Sequence, residues 1–383
     1  MGTWRRKRFA YVSLLFGDDR DAFVGLMFTG WSLKILHETK HELTLMVAND
    51  VPNRYLTALS HFWTLKHVRA IRYDHLVTVG SKPSLKRLFM KLRAFEMIQY
   101  SKVFFLDADI LIRRPLDEVF DLEAPAGVLY PNHSASRRDD GKKIPRKSLV
   151  KQRLNAGAWL LEPSRETFAQ VCEKAARAWA WPHDIPASCC PEEELLTRYF
   201  ASIPTSLYSL GIRWNLELWR RRQVTPDDIE SAKLFHFSCQ RHKPWWSAWR
   251  KKRNVRKEMS SWLKQRKEPR PHKFLITATE QWASGFKKCH QWVLENKHID
   301  ILAIASQVWK YIGGLNPVVR CRPWPCASSG CCTYSMESHK KCHSHHGLYE
   351  GSGEHIGVFY CEPCWERWLS VWDGARIAKE VLP

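Results

Sequence analysis

The 383-residue chain has no run approaching the roughly 18 uninterrupted apolar residues that a membrane-crossing helix needs, so no span is expected. It also lacks the pattern of a secretory leader. Basic residues open the chain, but the apolar run from Phe9 to Phe16 stops at Gly17-Asp18-Asp19 without a small-residue cleavage site. That run reads as a first core strand. Gly2 begins like a myristoylation acceptor, yet Arg6 stands where Ser or Thr is wanted. Acidic residues are scarce: 39 Asp and Glu face 60 Lys and Arg, for a net charge of +21. Such a surplus attracts polyanions, whether nucleic acid, anionic membrane or phosphorylated substrates. Cysteine is thin through most of the chain, and seven of the twelve lie from Cys321 onward, interleaved with histidine. This placement argues against a disulfide framework and for metal binding in a reducing compartment, so a cytoplasmic location is expected.

What is present centres on Val103-Phe104-Phe105-Leu106-Asp107-Ala108-Asp109-Ile110-Leu111-Ile112. An apolar run this short and rich in Val, Ile and Phe reads as a buried strand. Burying one carboxylate at its end costs several kcal/mol without a compensating cation, and here there are two. A divalent ion relieves that cost, and hard oxygen ligands suit Mg²⁺ or Mn²⁺, which also bind phosphate oxygens. The chain carries its own control: Asp19-Arg20-Asp21 has the same spacing but lies in a polar, turn-like cluster where solvated carboxylates need no ion.

Around this stretch, strand and helix patterns alternate. Strands are expected at 9–16, 43–47, 68–73, 103–106, 127–130, 154–161 and 233–237. Helical spacing is expected at 23–36, 85–100, from 163 to about 179, at 192–200 and, rich in tryptophan, at 274–312. The alternation predicts an α/β domain with a mostly parallel sheet. Ligands of such sheets sit at the carboxyl ends of the strands, where Asp107 and Asp109 fall.

Four features stand in order: Asp107-Ala108-Asp109, then Leu154-Asn155-Ala156-Gly157, then a Leu-Leu helix after acidic residues, then His236-Phe237 followed by Lys243-Pro244-Trp245. Together they resemble glycosyltransferase family 8, the glycogenin-like enzymes, over roughly residues 9 to 249. The resemblance implies a single Rossmann-like nucleotide-binding domain of the GT-A type. It also implies retaining transfer of a hexose, glucose or galactose, from a UDP-sugar to a carbohydrate, protein or small-molecule acceptor, with Mn²⁺ or Mg²⁺. Asp107, Asp109 and His236 would be the metal ligands, with Ala108 between the carboxylates. Lys243 would face the diphosphate, Lys82 and Lys91 the donor, and Leu14 and Phe16 the base, while Asn155 and Ala156 would face the donor sugar. Where the family commonly shows an Asp-Gln pair, this chain has Glu192-Glu193, assigned to the catalytic set. The family's Thr-Asn after the first strand is Phe16-Gly17 here. No counterpart to a self-glucosylated tyrosine segment is visible, which favours a separate acceptor.

Past residue 249 the character changes. Between Arg241 and Lys273 lie thirteen Lys or Arg against Glu258 and Glu268, a basic stretch leading through a helical segment to residue 317. From 318 on, Cys361-Glu362-Pro363-Cys364 resembles the second half of a treble-clef zinc finger. Cys326, Cys331, Cys332 and Cys342 compete for the first pair, with Cys326 and Cys331 taken as partners of Cys361 and Cys364. A segment this small would need its Zn²⁺ to fold, and its expected role is docking a protein partner. The expected organisation is therefore 1–249, 250–317 and 318–383. Two other readings compete with transfer: a nucleic-acid-binding zinc-finger protein, drawn from the basic stretch, and a catalytically silent nucleotide-sugar binder.

Overall fold

A computed structural model describes residues 7–76, 83–130, 140–177, 190–204, 207–218, 224–238, 243, 272–296, 348–350 and 359–361. The chain divides into two compact units, one of Met1–Pro52 with Leu59–His242, the other of Asn53–Ala58 with Lys243–Pro383. Among the described residues no helix is long and apolar enough to cross a membrane.

The first unit is built on a seven-stranded sheet. Its strands are β1 (Phe9–Leu15), β2 (Glu42–Val47), β3 (Thr64–His67), β4 (Lys102–Leu106), β6 (Ala126–Tyr130), β7 (Arg153–Leu161) and β8 (Tyr208–Ser209), in the order β3-β2-β1-β4-β7-β6-β8. Strands β1 to β4 pair in parallel, whereas β7 runs antiparallel to both β4 and β6. The sheet is thus mixed but mostly parallel, as expected. Strand β1 buries every residue after Phe9, and β4 every residue after Lys102, which is the pattern of strands covered on both faces.

Chain order reverses between β1 and β4. From β1 the chain steps outward through β2 and β3, then returns to add β4 on the other side. The crevice at the carboxyl ends of these two strands is where an open α/β sheet takes a ligand. Ser13 Oγ donates to the Leu106 carbonyl at 2.6 Å, a buried bond that ties the two strand ends together.

Helix α1 (Arg20–Trp31) follows β1. Its N-cap is Asp19, whose side chain accepts from the Ala22 amide at 3.0 Å, so the polar Asp19-Arg20-Asp21 cluster serves to start a helix. Gly17 stands in the left-handed region at φ 68° and makes the turn between strand and helix. The last turn of the expected helix 23–36 widens into a π-helix over Ser32–Leu36.

Two local expectations are corrected, and one strand is added. The third strand is Thr64–His67, aligned on β2 from Thr44↔Thr64 to Val47↔His67, and 68–73 form no strand. The amphipathic stretch that carries Lys91 coils as a 3₁₀-helix over Pro83–Glu96. The apolar residues after Asp109 do not prolong β4. They form β5 (Ile110–Ile112), which leaves the main sheet for a small second one of order β5-β10-β9, with β9 (Leu216–Glu217) and β10 (Leu234–His236). The apolar sequence runs on through the junction because both sheets bury their strands.

Helix α2 (Asn53–Leu59) follows β2 in sequence, with Asn53–Ala58 belonging to the second unit, and α3 (Arg146–Lys151), α4 (Arg165–Arg177), α5 (Pro191–Ser202) and α6 (Pro226–Ser231) complete the first unit's α-helices among the described residues. In the second unit, α7 (His272–Glu295) buries Trp282, Phe286, Cys289 and Val293. Strands β11 (Leu348–Glu350) and β12 (Phe359–Cys361) pair antiparallel there.

Candidate metal and donor site

Asp107 and Asp109 occupy the junction at which the chain passes from one sheet to the other. Strand β10 lies antiparallel to β5 with His236 opposite Ile110, and the Phe237 amide donates to the Asp109 carbonyl at 2.8 Å. That register delivers His236 to the aspartates from 127 positions away: its Nε2 stands 3.1 Å from Asp109 Oδ1. One ligand atom from each of Asp107, Asp109 and His236 falls within 4.8 Å of the other two. Two hard carboxylate oxygens and one imidazole nitrogen form a donor set that fits a divalent ion such as Mn²⁺ or Mg²⁺. Burial opposes a charged imidazole at His236, but Asp109, joined by Asp107 and Glu217, outweighs it and raises its pKa above the ordinary value.

The junction is crowded, and two glycines make room for it. A Cβ on Gly25 of α1 would lie 1.7 Å from the Ala108 carbonyl oxygen, so only glycine lets the helix lie against the Asp107–Asp109 turn. A Cβ on Gly157 would lie 2.2 Å from Cε1 of His236. Gly157 belongs to a kink in β7: pairing with β6 jumps from Gly127↔Trp159 to Val128↔Asn155, leaving Ala156, Gly157 and Ala158 out of that register. Such irregularities bend a strand and re-aim its neighbours. On the other edge the Gly157 carbonyl still accepts from the Asp107 amide at 2.7 Å.

Beside the aspartates sits a buried cation. Lys91 is 5% exposed, and its Nζ lies 2.8 Å from Asp107 Oδ1 and 3.0 Å from Glu192 Oε1. Burial works against its charge, yet Asp107 and then Glu192 prevail and hold its pKa well above the usual lysine value. Glu192, Glu193 and Glu194 form the first turn of α5, behind Pro191 at the helix start, where the helix dipole favours negative charge. Glu192 is 1% exposed, and its Oε2 has no hydrogen-bond partner. Glu193 accepts from the Ala156 amide at 3.0 Å with one oxygen, and its other lies 3.6 Å from Arg153 Nε. Burial, followed by repulsion from Glu192, pushes the Glu193 carboxyl up to about 8.

Beneath the histidine runs a string of polar side chains of which the sequence singled out Asn155 alone. His236 Nδ1 is 2.9 Å from Asn215 Oδ1, Asn215 Nδ2 donates to Asn155 Oδ1 at 2.8 Å, and Asn155 Nδ2 donates to Glu217 Oε1 at 2.8 Å. The side chain of Asn155 is therefore engaged inside the protein. A signal for Asn215 and Glu217 exists in Trp214-Asn215-Leu216-Glu217-Leu218: polar residues two apart between apolar ones share one face of an extended segment.

At the end of β1, Leu14 is buried and Phe16 is half-buried. The Arg87 guanidinium stacks over the Phe16 ring, 4.6 Å from its centroid, and pairs with Asp50, whose Oδ1 also accepts from the Gly17 amide at 3.1 Å. Asp50 and Arg87 line a cavity of about 380 Å³ together with Ala48, Asn49, Val68, Ala70 and Arg72. Lys82 lies outside the described residues. Lys243 belongs to the second unit and is half-buried there. Of the cysteines taken as zinc ligands, Cys361 closes β12, while Cys326, Cys331 and Cys364 lie outside the described residues.

Comparisons with known proteins match mainly the part of the chain that forms the first unit. The family model for glycosyl transferase family 8 matches residues 59–249. The uncharacterized protein R707 of Acanthamoeba polyphaga mimivirus is 24% identical over 243 residues, covering 62% of this chain and 82% of that protein. Galactinol synthase 3 of Arabidopsis thaliana is 26% identical over 273 residues, covering 63% and 75%. UDP-glucuronate:xylan alpha-glucuronosyltransferase 2, also of Arabidopsis thaliana, is 24% identical over 271 residues, covering 64% and 41%. Among solved structures, the galactosyltransferase LgtC in complex with donor and acceptor sugar analogs aligns at a TM-score of 0.43 and 12% identity, covering 62% of this chain and 89% of that one. Family match, curated relatives and the clustered aspartates converge: the chain carries a glycosyl transferase family 8 domain.

Proposed function

We propose that the first unit is a metal-dependent, retaining transferase that moves a hexose, glucose or galactose, from a UDP-sugar to a separate acceptor. The observation that carries this reading is the gathering of Asp107, Asp109 and His236 within 4.8 Å of one another, in the crevice between β1 and β4. A divalent ion held by these three would supply positive charge against the departing nucleoside diphosphate. The chain's own residues prepare the rest. Lys91, held by Asp107 and Glu192, fixes the position of Asp107 and keeps a permanent positive charge beside it. Glu192 offers a carboxylate, and Glu193 a neutral carboxyl group, beside the sugar as positive charge builds on its anomeric carbon. The stacked Phe16 and Arg87 form a wall for the uracil base.

Charge favours a neutral hexose over a uronate. Lys91 already has two carboxylates to compensate, Asp107 and Glu192, within the same cluster. A donor sugar bearing its own carboxylate would bring one more negative group into that surplus. This separates the proposal from the activity named for the glucuronosyltransferase relatives.

The test is a screen of nucleotide sugars for donor hydrolysis with Mn²⁺ present, UDP-glucose and UDP-galactose against UDP-glucuronate, with Asp109→Ala as control. Turnover of a neutral UDP-hexose that is lost in the variant supports the reading, as does a product glycoside that keeps the donor's anomeric configuration by NMR. UDP binding without turnover of any sugar would mark a silent binder, and salt-sensitive nucleic-acid retention without turnover would favour the basic stretch as the working part. The zinc site of Cys326, Cys331, Cys361 and Cys364 is a separate proposal, checked by the zinc content of the purified chain.

A further inference from the structure

We infer that Asn155, Asn215 and Glu217 form a relay that locks His236 as the Nδ1–H tautomer, so that Nε2 is the nitrogen offered to the metal. The inference rests on the metal reading of Asp107, Asp109 and His236 and goes beyond it, because it assigns roles to residues outside the ligand set.

The relay follows from donors and acceptors whose roles cannot be exchanged. A backbone amide only donates, and the Gly157 N–H points at the Asn155 side chain over 2.8 Å, so the atom it meets must be the oxygen Oδ1. Asn155 then turns its Nδ2 toward Glu217 Oε1, an acceptor that suits it at 2.8 Å. Both ends of the Asn155 amide are thus fixed by independent neighbours. The same Oδ1 faces Asn215 at 2.8 Å, so Asn215 must present Nδ2 there, which leaves Asn215 Oδ1 facing the imidazole. An amide oxygen accepts, so His236 Nδ1, 2.9 Å away, carries a hydrogen. In the neutral ring that leaves the lone pair on Nε2, on the side of Asp109.

Every member is buried: Asn155 is 4% exposed, Asn215 1%, Glu217 3% and His236 3%. Water therefore has little access with which to scramble the assignment. The elements concerned make the relay a product of topology. Asn155 sits at the kink of β7, Asn215 and Glu217 flank Leu216 at β9, and His236 ends β10, which pairs with β9 through His236↔Glu217. Four polar side chains buried together in this order would destabilise the core unless each found its partner. The partners of a metal-bound histidine affect the metal because they set its tautomer and ring angle, and removing one lowers metal affinity about 10- to 100-fold. Asn215, Asn155 and Glu217 are positioning residues in this sense.

The experiment uses the full chain with metal alone. Mn²⁺ binding is measured by calorimetry, and Cd²⁺ serves as a diamagnetic probe for nitrogen NMR of His236. In the unsubstituted protein, cadmium–nitrogen coupling is expected at Nε2, with Nδ1 still bearing its hydrogen. Asn215→Leu, which removes the acceptor, is expected to weaken Mn²⁺ binding about 10- to 100-fold. Asn215→Asp keeps an acceptor opposite Nδ1–H and is expected to retain Nε2 coordination. Coupling to Nδ1 in the unsubstituted protein overturns the inference, as does a folded Asn215→Leu variant with unaltered Mn²⁺ affinity. If Asn215→Leu does not fold, the NMR assignment in the unsubstituted chain and in Asn215→Asp still decides. Metal bound through Nε2 without turnover of any sugar would sink the transferase proposal and leave the relay standing. Metal bound through Nδ1 in an active enzyme would do the reverse.

Discussion

A Cβ added to Gly157 would sit 2.2 Å from Cε1 of His236 and 2.9 Å from its Nε2. The backbone of β7 thus serves as one wall of the metal cluster, and the imidazole, itself buried, can yield only by pushing on its other neighbours. Gly157→Ala is expected to fold, with the ring displaced by a fraction of an ångström to an ångström. A displacement of that size costs about 10²-fold in rate when reacting groups are misplaced. Mn²⁺-dependent hydrolysis of the best UDP-hexose, compared with thermal melting of the same variant, checks it. Unchanged turnover would show that the ring tolerates the methyl and that its position matters little.

A second close approach makes a stability prediction. Gly25→Ala drives a methyl onto the Ala108 carbonyl at 1.7 Å, a clash with backbone, where no side chain can swing away. Overpacking of this kind costs about 1–3 kcal/mol. The expected outcome in urea unfolding is a lower midpoint together with weaker Mn²⁺ binding, since the strained turn carries both aspartates.

Among the described residues, Lys91 is the lysine that pairs with both Asp107 and Glu192. Lys91→Met leaves the buried Glu192 and the part-buried Asp107 without it, and breaking a buried ion pair from one side costs about 3–5 kcal/mol. Lys91→Met with Glu192→Leu removes one of the two stranded charges and is expected to regain part of that loss. The denaturation midpoints of the single and double variants measure the difference.

Glu193 gives the pH prediction. Its folded pKa is raised from 4.5 to about 8, so the protonated carboxyl is the form the fold prefers. Stability from this group is fully present below 4.5 and is lost as pH rises through about 8. Glu193→Gln keeps an acceptor for the Ala156 amide and carries no titrating charge. The variant is therefore expected to gain in melting temperature over the parent at pH 9 and to gain much less at pH 5. An equal difference at both pH values would show that Glu193 is ionised throughout.

Much of the first unit was legible before the fold was known, for a physical reason. Strands β1, β2, β4 and β7 are buried on both faces, and such strands announce themselves as short, unbroken apolar runs. Asp107 and Asp109 stood out because carboxylates inside such a run need a cation. Thr64–His67 escaped notice because it is short and each of its residues is partly or fully exposed, which leaves little apolar contrast. The change of sheet at Asp109 escaped notice because β4 and β5 are equally apolar on either side of it.

Sequence alone determined which residue types had to be solved by burial: the aspartate pair in its apolar run, the acid-rich start of α5, and a histidine closing an apolar segment. Tertiary structure alone decided who meets whom. The antiparallel register of β10 on β5 selects His236 out of seventeen histidines as the partner of Asp109. The kink of β7 and the proximity of β9 select Asn155, Asn215 and Glu217 as its supports. These pairings join positions up to 127 residues apart. No local propensity encodes contacts of that length; they follow from strand register, which is fixed only once both sheets have formed.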